Sequence, residues 1–149
     1  METEALHFAL FIGALIFCST LFMFVSTPIH ELMHLCAAKL CGVVVTEVKL
    51  LQFSLVRMGY IVVDKKSFKK KSHVYFVHFA GGIGSGVVFL ISLVVCFYFF
   101  RNVQDPILNE LYSAILFALG IIVASEVVGG VIEGVFESNK VIRALSLEN

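Results

Sequence analysis

The chain has 149 residues, 59% of them hydrophobic, and its mean hydropathy is +0.96. Soluble domains are usually about 45 to 50% apolar, so this composition excludes an ordinary soluble domain and predicts a small integral membrane protein. The 11 basic and 11 acidic residues cancel to a formal charge of zero. Because too few residues lie outside the apolar runs to build a second domain, we expect a single membrane domain over residues 1–149.

The first apolar segment begins at Ala5 and continues beyond Pro28. A single helix over residues 5–41 would be about 55 Å long, whereas the hydrocarbon core of a bilayer is about 30 Å thick. Pro28 predicts a kink in this helix, because proline removes one backbone hydrogen bond and crowds the preceding turn. The alternative is a new helix that begins at Pro28 with Thr27 as its N-cap. In both cases Gly42 is expected to end the helix.

The same helix contains the sequence His30-Glu31-Leu32-Met33-His34. Positions i and i+4 share a helix face, so His30 and His34 can each offer a ring nitrogen to one Zn²⁺. Glu31 lies beside the first histidine, where its carboxylate could serve as general base and then general acid for a zinc-activated water. The motif therefore predicts a catalytic zinc site. The alternatives are a chance match and a metal site without chemistry.

The rest of the chain predicts a small sheet and two further helices. Residues 43–63 are rich in Val, Leu, Ile and Phe and predict two short strands, and apolar runs at 74–100 and 107–136 predict further spans. The fold class is thus an all-α membrane protein with a three-helix transmembrane core, a long kinked first helix, and a small β-hairpin or sheet between helices 1 and 2. The lysine-rich run 64–72 will not cross a bilayer, and we expect it to contact anionic lipid rather than nucleic acid.

Charge asymmetry predicts the orientation in the membrane. Residues 39–71 carry eight Lys or Arg, whereas the connection 101–110 carries one. The positive-inside rule then places the N-terminus outside and the C-terminus in the cytoplasm of a multi-pass protein of the cell membrane. The oligomeric state is left open.

A catalytic zinc usually has three protein ligands, so the histidine pair needs a partner. Depth measured along each span from its flanking charges places Glu133, Glu137 and His78 level with the histidines, near the inner face. Glu126 falls near the bilayer middle instead, and we expect either a protonated carboxyl bonded across helices or a contact with an unwound substrate. For His78, a metal contact and a hydrogen-bonded interior ring both remain open.

Small residues interrupt the second span, in the sequence Ala-Gly-Gly-Ile-Gly-Ser-Gly at 80–86. Small side chains let membrane helices approach closely, so this glycine seam predicts a helix-packing surface. We expect it to receive the helix with the two histidines, on which Ala37 and Ala38 continue the histidine face.

With these features assembled, residues 9–144 resemble the site-2 protease family of intramembrane zinc metalloproteases. The strongest likeness is the stretch 30–43, His-Glu-Leu-Met-His-Leu-Cys-Ala-Ala-Lys-Leu-Cys-Gly-Val, which is similar to the family's H-E-L-x-H with an Ala-rich turn and a Gly-Val exit. Residues 80–82 resemble the family's Ala-Gly-Pro without the proline. In the last helix, Ser125 stands where the family has Asn, and Glu133-Gly134 stands where it has Asp-Gly.

The resemblance implies Glu31 as the catalytic residue, His30, His34 and Glu133 as zinc ligands, and cleavage of a transmembrane segment of another protein. Ser125, Glu126 and His78 are the candidate substrate-binding residues, of which Ser125 is the one that the resemblance supplies. The Asn and prolines that the family has in this helix are missing here, and their loss would affect catalysis more than metal binding. They leave two alternatives: a zinc-binding membrane protein without turnover, and a different membrane zinc protease whose third ligand is a helical Glu.

Overall fold

A computed structural model describes residues 2–51 and 59–147 of the chain. It is mostly helical with one two-stranded sheet, in agreement with the predicted secondary structure. The elements in chain order are α1 (Glu2–Leu40), β1 (Val45–Lys49), β2 (Tyr60–Val63), a 3₁₀ turn (Lys65–Ser67), α2 (Lys71–Phe100) and α3 (Pro106–Leu147). All three α-helices are long and apolar enough to cross a membrane.

Helix α1 is continuous, and Pro28 lies inside it. The alternative of a second helix that begins at Pro28 is therefore wrong. Gly42 ends α1 as predicted: its φ is +66°, a left-handed conformation that glycine adopts without steric cost. Backbone hydrogen bonds from Gly42 N to the Lys39 carbonyl and from Val43 N to the Ala38 carbonyl complete this C-terminal cap.

The strands β1 and β2 pair antiparallel, with Val45 opposite Val63 and Lys49 opposite Tyr60. The register shifts between Val45 and Glu47, which is the mark of a β-bulge. The two strands occupy only part of the region 43–63 in which they were predicted. Residues 52–58 of that region lie outside the described residues.

Helix α3 extends to Leu147, whereas the predicted span ended at residue 136. The predicted span followed hydropathy, which falls where charged residues appear, and the helix itself continues beyond it. Packing continues past that point: Ser138 and Val141 are buried at 0% and 3% exposure. The i→i−4 backbone hydrogen bonds can continue beyond the apolar residues, and the helix extends into the charged segment.

The glycine seam of α2 contacts both other helices. Gly81 and Gly84 face α1, since a Cβ at Gly81 would meet the histidine rings and a Cβ at Gly84 would lie 2.7 Å from Met33 Cγ. Gly82 instead faces Gly130 of α3, with the two backbones in direct contact. The predicted packing against the histidine helix is confirmed, and the seam also receives α3.

Candidate metal centre

Both histidine rings are oriented by hydrogen bonds at Nδ1. His34 Nδ1 lies 2.6 Å from the carbonyl oxygen of Val77 in α2, and His30 Nδ1 lies 2.8 Å from Oε2 of Glu126 in α3. A backbone carbonyl only accepts, so His34 Nδ1 must carry the proton. An ionised Glu126 accepts from His30 Nδ1 in the same way.

The two Nε2 atoms consequently face each other with their lone pairs, at 3.1 Å. Two acceptors at this distance repel unless a proton or a metal ion lies between them. Two imidazole ligands of a tetrahedral zinc, each about 2.0 to 2.1 Å from the metal, are about 3.3 Å apart. The pair therefore fits a shared zinc ion.

Gly81 closes one side of this pair. A Cβ at this position would lie 2.5 Å from His30 Nε2 and nearer still to His34 Nε2. No L-residue with a side chain could occupy position 81 unless the rings moved. The glycine thus lets the α2 backbone approach the two rings closely.

Glu126 lies between all three helices. Its Oε2 is 2.8 Å from His30 Nδ1 in α1 and 2.5 Å from Ser85 Oγ in α2. The depth comparison, which placed Glu126 away from the histidines, is wrong. It assumed that flanking charges mark the membrane faces, but α1 and α3 have 39 and 42 residues. They span about 58 and 63 Å, so their midpoints need not lie at one level.

A polar cavity of about 360 Å³ adjoins His34 of the pair. Its charged and imidazole lining consists of Glu31, His34, His78, Glu133, Glu137 and Lys140. Glu133, Glu137 and His78 thus lie beside the same cavity as His34, as their predicted depth suggested. Lys140 Nζ is 3.7 Å from Glu137 Oε1, so one of these carboxylates already has a cationic neighbour.

The third ligand is not in place. Within residues 2–51 and 59–147, no three His, Cys, Asp or Glu side chains converge closely enough to hold a metal ion. Glu133 is exposed to the cavity, and Nε2 of His78 is buried without a hydrogen-bond partner. The structure brings His30 and His34 together and leaves the predicted role of Glu133 as a prediction.

The hairpin forms another wall of the polar cavity, through Gly59, Tyr60, Ile61 and Val63. A Cβ at Gly59 would lie 3.1 Å from Glu31 Cγ and 3.0 Å from Thr27 Cγ2, so this backbone lies directly against the histidine helix. Beyond the cavity, the Tyr60 hydroxyl donates to Glu47 at 2.8 Å. This bond, with Lys49 beside it, holds the pKa of the Glu47 carboxyl below its usual value.

Ser125 lies elsewhere. It is on an exposed face of α3, and its hydroxyl donates to the Ile122 carbonyl at 2.9 Å. The structure does not bring Ser125 to the histidines, although its neighbour Glu126 is there. A helical residue turns about 100° from the one before it, so adjacent positions face different directions.

Sequence reasoning missed two groups of the site. The Val77 carbonyl belongs to the backbone and leaves no signal in the residue types. Ser85, which is fully buried, could have been noticed as the polar member of the glycine seam.

No protein family, curated protein or solved structure matches this chain. Its function must therefore be inferred from the site itself.

Proposed function

We propose that this chain is an intramembrane zinc metalloprotease that cleaves transmembrane segments of other membrane proteins. The observation that carries the proposal is the facing pair of Nε2 atoms, 3.1 Å apart, with both Nδ1 atoms engaged elsewhere. A polar cavity lined by Glu31 adjoins this pair. Two nitrogen donors, a carboxylate and space for water are the groups that zinc-dependent hydrolysis needs.

His30 and His34 would hold the zinc through Nε2, and Glu133 is the proposed third ligand, since its carboxylate opens on the same cavity as His34. When bound, the zinc supplies a Lewis acid that lowers the pKa of water to about 7 and polarises a peptide carbonyl. Glu31 takes a proton from the attacking water and delivers it to the departing amide nitrogen. The half-buried position of Glu31 at the cavity suits both transfers.

The hairpin is the proposed substrate-binding element. A transmembrane helix must unwind before its carbonyls can be attacked, and an extended segment can add to the edge of a sheet through main-chain hydrogen bonds. Strand β2 supports this role because Tyr60, Ile61 and Val63 line the polar cavity beside Glu31.

The proposed setting is the cell membrane, with α1, α2 and α3 as three spans, the N-terminus outside and the C-terminus in the cytoplasm. The lysine-rich run 64–72 and the α3 residues Lys140 and Arg143 would then lie on the cytoplasmic side. Lys140 also lines the polar cavity, so water could enter from the cytoplasm without crossing the whole bilayer.

A zinc-binding membrane protein without turnover is the second candidate. It is favoured by one observation: the Ser125 hydroxyl, at the position where the resembling family has Asn, donates to the Ile122 carbonyl of its own helix. Such a protein would keep the histidine pair and bind or regulate a partner.

The test compares purified wild-type protein with Glu31→Gln, both reconstituted in liposomes with a single-span substrate whose transmembrane segment contains Gly and Pro. Glu31→Gln should keep its zinc and lose about 10² to 10⁴-fold in cleavage rate, because general acid–base catalysis contributes about that much. The matched control is Glu110→Gln, which removes a carboxylate from α3 away from the cavity.

Equal cleavage by wild type and Glu31→Gln would contradict the role of Glu31. Zinc in the wild type without cleavage of this substrate would favour the second candidate. A wild-type protein that holds no zinc would contradict both.

A further inference from the structure

Glu126 is a carboxylate within an apolar helix, where such groups are costly and usually mark a function. Its side chain is only 12% exposed, and the His30 side chain that it contacts is 17% exposed. Oε2 lies close to both His30 Nδ1 and Ser85 Oγ, and the Ser26 side chain of α1 also hydrogen-bonds to the carboxylate. His30 Nδ1 is the histidine nitrogen that this carboxylate contacts.

That nitrogen is the one turned away from the proposed metal. A hydrogen bond at Nδ1 fixes the ring orientation and the tautomer, and it leaves the Nε2 lone pair free to bind. A negatively charged acceptor also makes the ring a stronger donor to a metal than a neutral carbonyl does. His34 has only the neutral carbonyl, from Val77, so the two histidines are supported unequally.

We infer that Glu126 is a positioning residue for His30: its carboxylate, held by Ser85, orients the ring and strengthens Nε2 as a zinc ligand. The inference rests on the proposed zinc site. It assigns Glu126 a role other than the substrate contact that the sequence suggested. Partners of this kind change metal affinity by about 10 to 100-fold.

The competing explanation is that Glu126 only joins the helices. Its neighbours lie on α1 and α2, so it would stabilise the bundle whether or not His30 binds metal. A purely structural role would alter the thermal stability of the metal-free protein. It would leave the zinc affinity of the folded protein unchanged.

The experiment measures zinc affinity by competition with a chromogenic chelator, on full-length protein in detergent. Glu126→Gln should bind zinc about 10 to 100-fold more weakly than the wild type, and Glu110→Gln, a charge-matched change in the same helix, should bind it equally well. Cobalt substituted for zinc gives a second readout, since its visible absorption spectrum should change in Glu126→Gln as the donor strength of His30 changes.

A double-mutant cycle then separates positioning from packing. If Glu126 acts through the ring, Glu126→Gln should cost no further affinity in a His30→Ala background, because coupled residues are not additive. The same loss in both backgrounds would overturn the inference and leave Glu126 as a packing residue. Thermal unfolding of each metal-free variant verifies that the proteins compared are folded.

Equal zinc affinity of wild type and Glu126→Gln would also overturn the inference, while the zinc site itself would stand. A wild type without measurable zinc affinity would instead overturn the proposed function, and the inference with it.

Discussion

The histidine pair has two unlike sides. On the packed side, which consists of Gly81, Gly82 and Ser85 of α2 with Gly130 of α3, the backbones of Gly82 and Gly130 touch. On the open side lies the polar cavity, whose lining includes the exposed residues Glu133 and Lys140.

The difference separates two tasks. The packed side fixes the histidine rings, since both Nδ1 partners belong to the helices that meet there. The open side holds the groups that would act on water or substrate in the proposed reaction, and the cavity there leaves space for the reactants. A site for hydrolysis needs both properties, because the ligands must be preorganised while the reactants must enter.

The strongest way to break this arrangement is Gly81→Ala. The added methyl group would displace both Nε2 atoms, and the rings can yield only if they lose their Nδ1 hydrogen bonds. We expect zinc affinity to fall by more than about 100-fold, since loss of a partner to even one ligand costs about 10 to 100-fold. Competition with a chelator measures this.

The matched control is Gly129→Ala, because a Cβ at that glycine meets nothing within 4 Å. Unchanged zinc affinity in Gly81→Ala would show that the metal lies elsewhere than beside this glycine.

A smaller effect is expected on the open side, from Glu133→Ala. If Glu133 swings from the cavity onto the metal, its removal should weaken zinc binding at least about tenfold, by analogy with the loss of supporting groups. Metal content of the purified variant, beside Glu137→Ala and His78→Ala, identifies the third ligand. Full occupancy in Glu133→Ala with loss in one of the other two would reassign it.

The smallest effect on zinc is expected from Gly130→Ala, which acts through helix packing. The new Cβ would lie 3.1 Å from both N and carbonyl C of Gly82 and closer still to its Cα, so α2 and α3 must separate. Overpacking of this kind costs about 1 to 3 kcal/mol. Gly129→Ala should instead be neutral or stabilising by up to about 1 kcal/mol.

Thermal unfolding in detergent compares these adjacent glycines. Equal stability of the two variants would contradict the close approach at Gly82. Zinc affinity of the folded Gly130→Ala protein should change less than in Gly81→Ala, since the histidines are touched only indirectly.

The sequence predicted that the glycine seam packs against the histidine helix, but not that it also packs against α3. That the seam would face the histidine helix follows from the small side chains that both segments share. That Gly82 would meet Gly130 does not follow, because α3 has four glycines, at 120, 129, 130 and 134, and the sequence does not say which one lies at the crossing point.

The sequence by itself determined the local features: three apolar helices, the left-handed cap at Gly42, and two imidazoles on one helix face. These follow from span length, glycine stereochemistry and the 3.6-residue period, none of which requires a neighbour. Only the tertiary structure decided that Glu126 supports His30 and that the Val77 carbonyl supports His34. Such pairings depend on where the long helices cross. The charges that flank each apolar run do not reveal the crossing points, because α1 and α3 are about twice as long as the hydrocarbon core is thick.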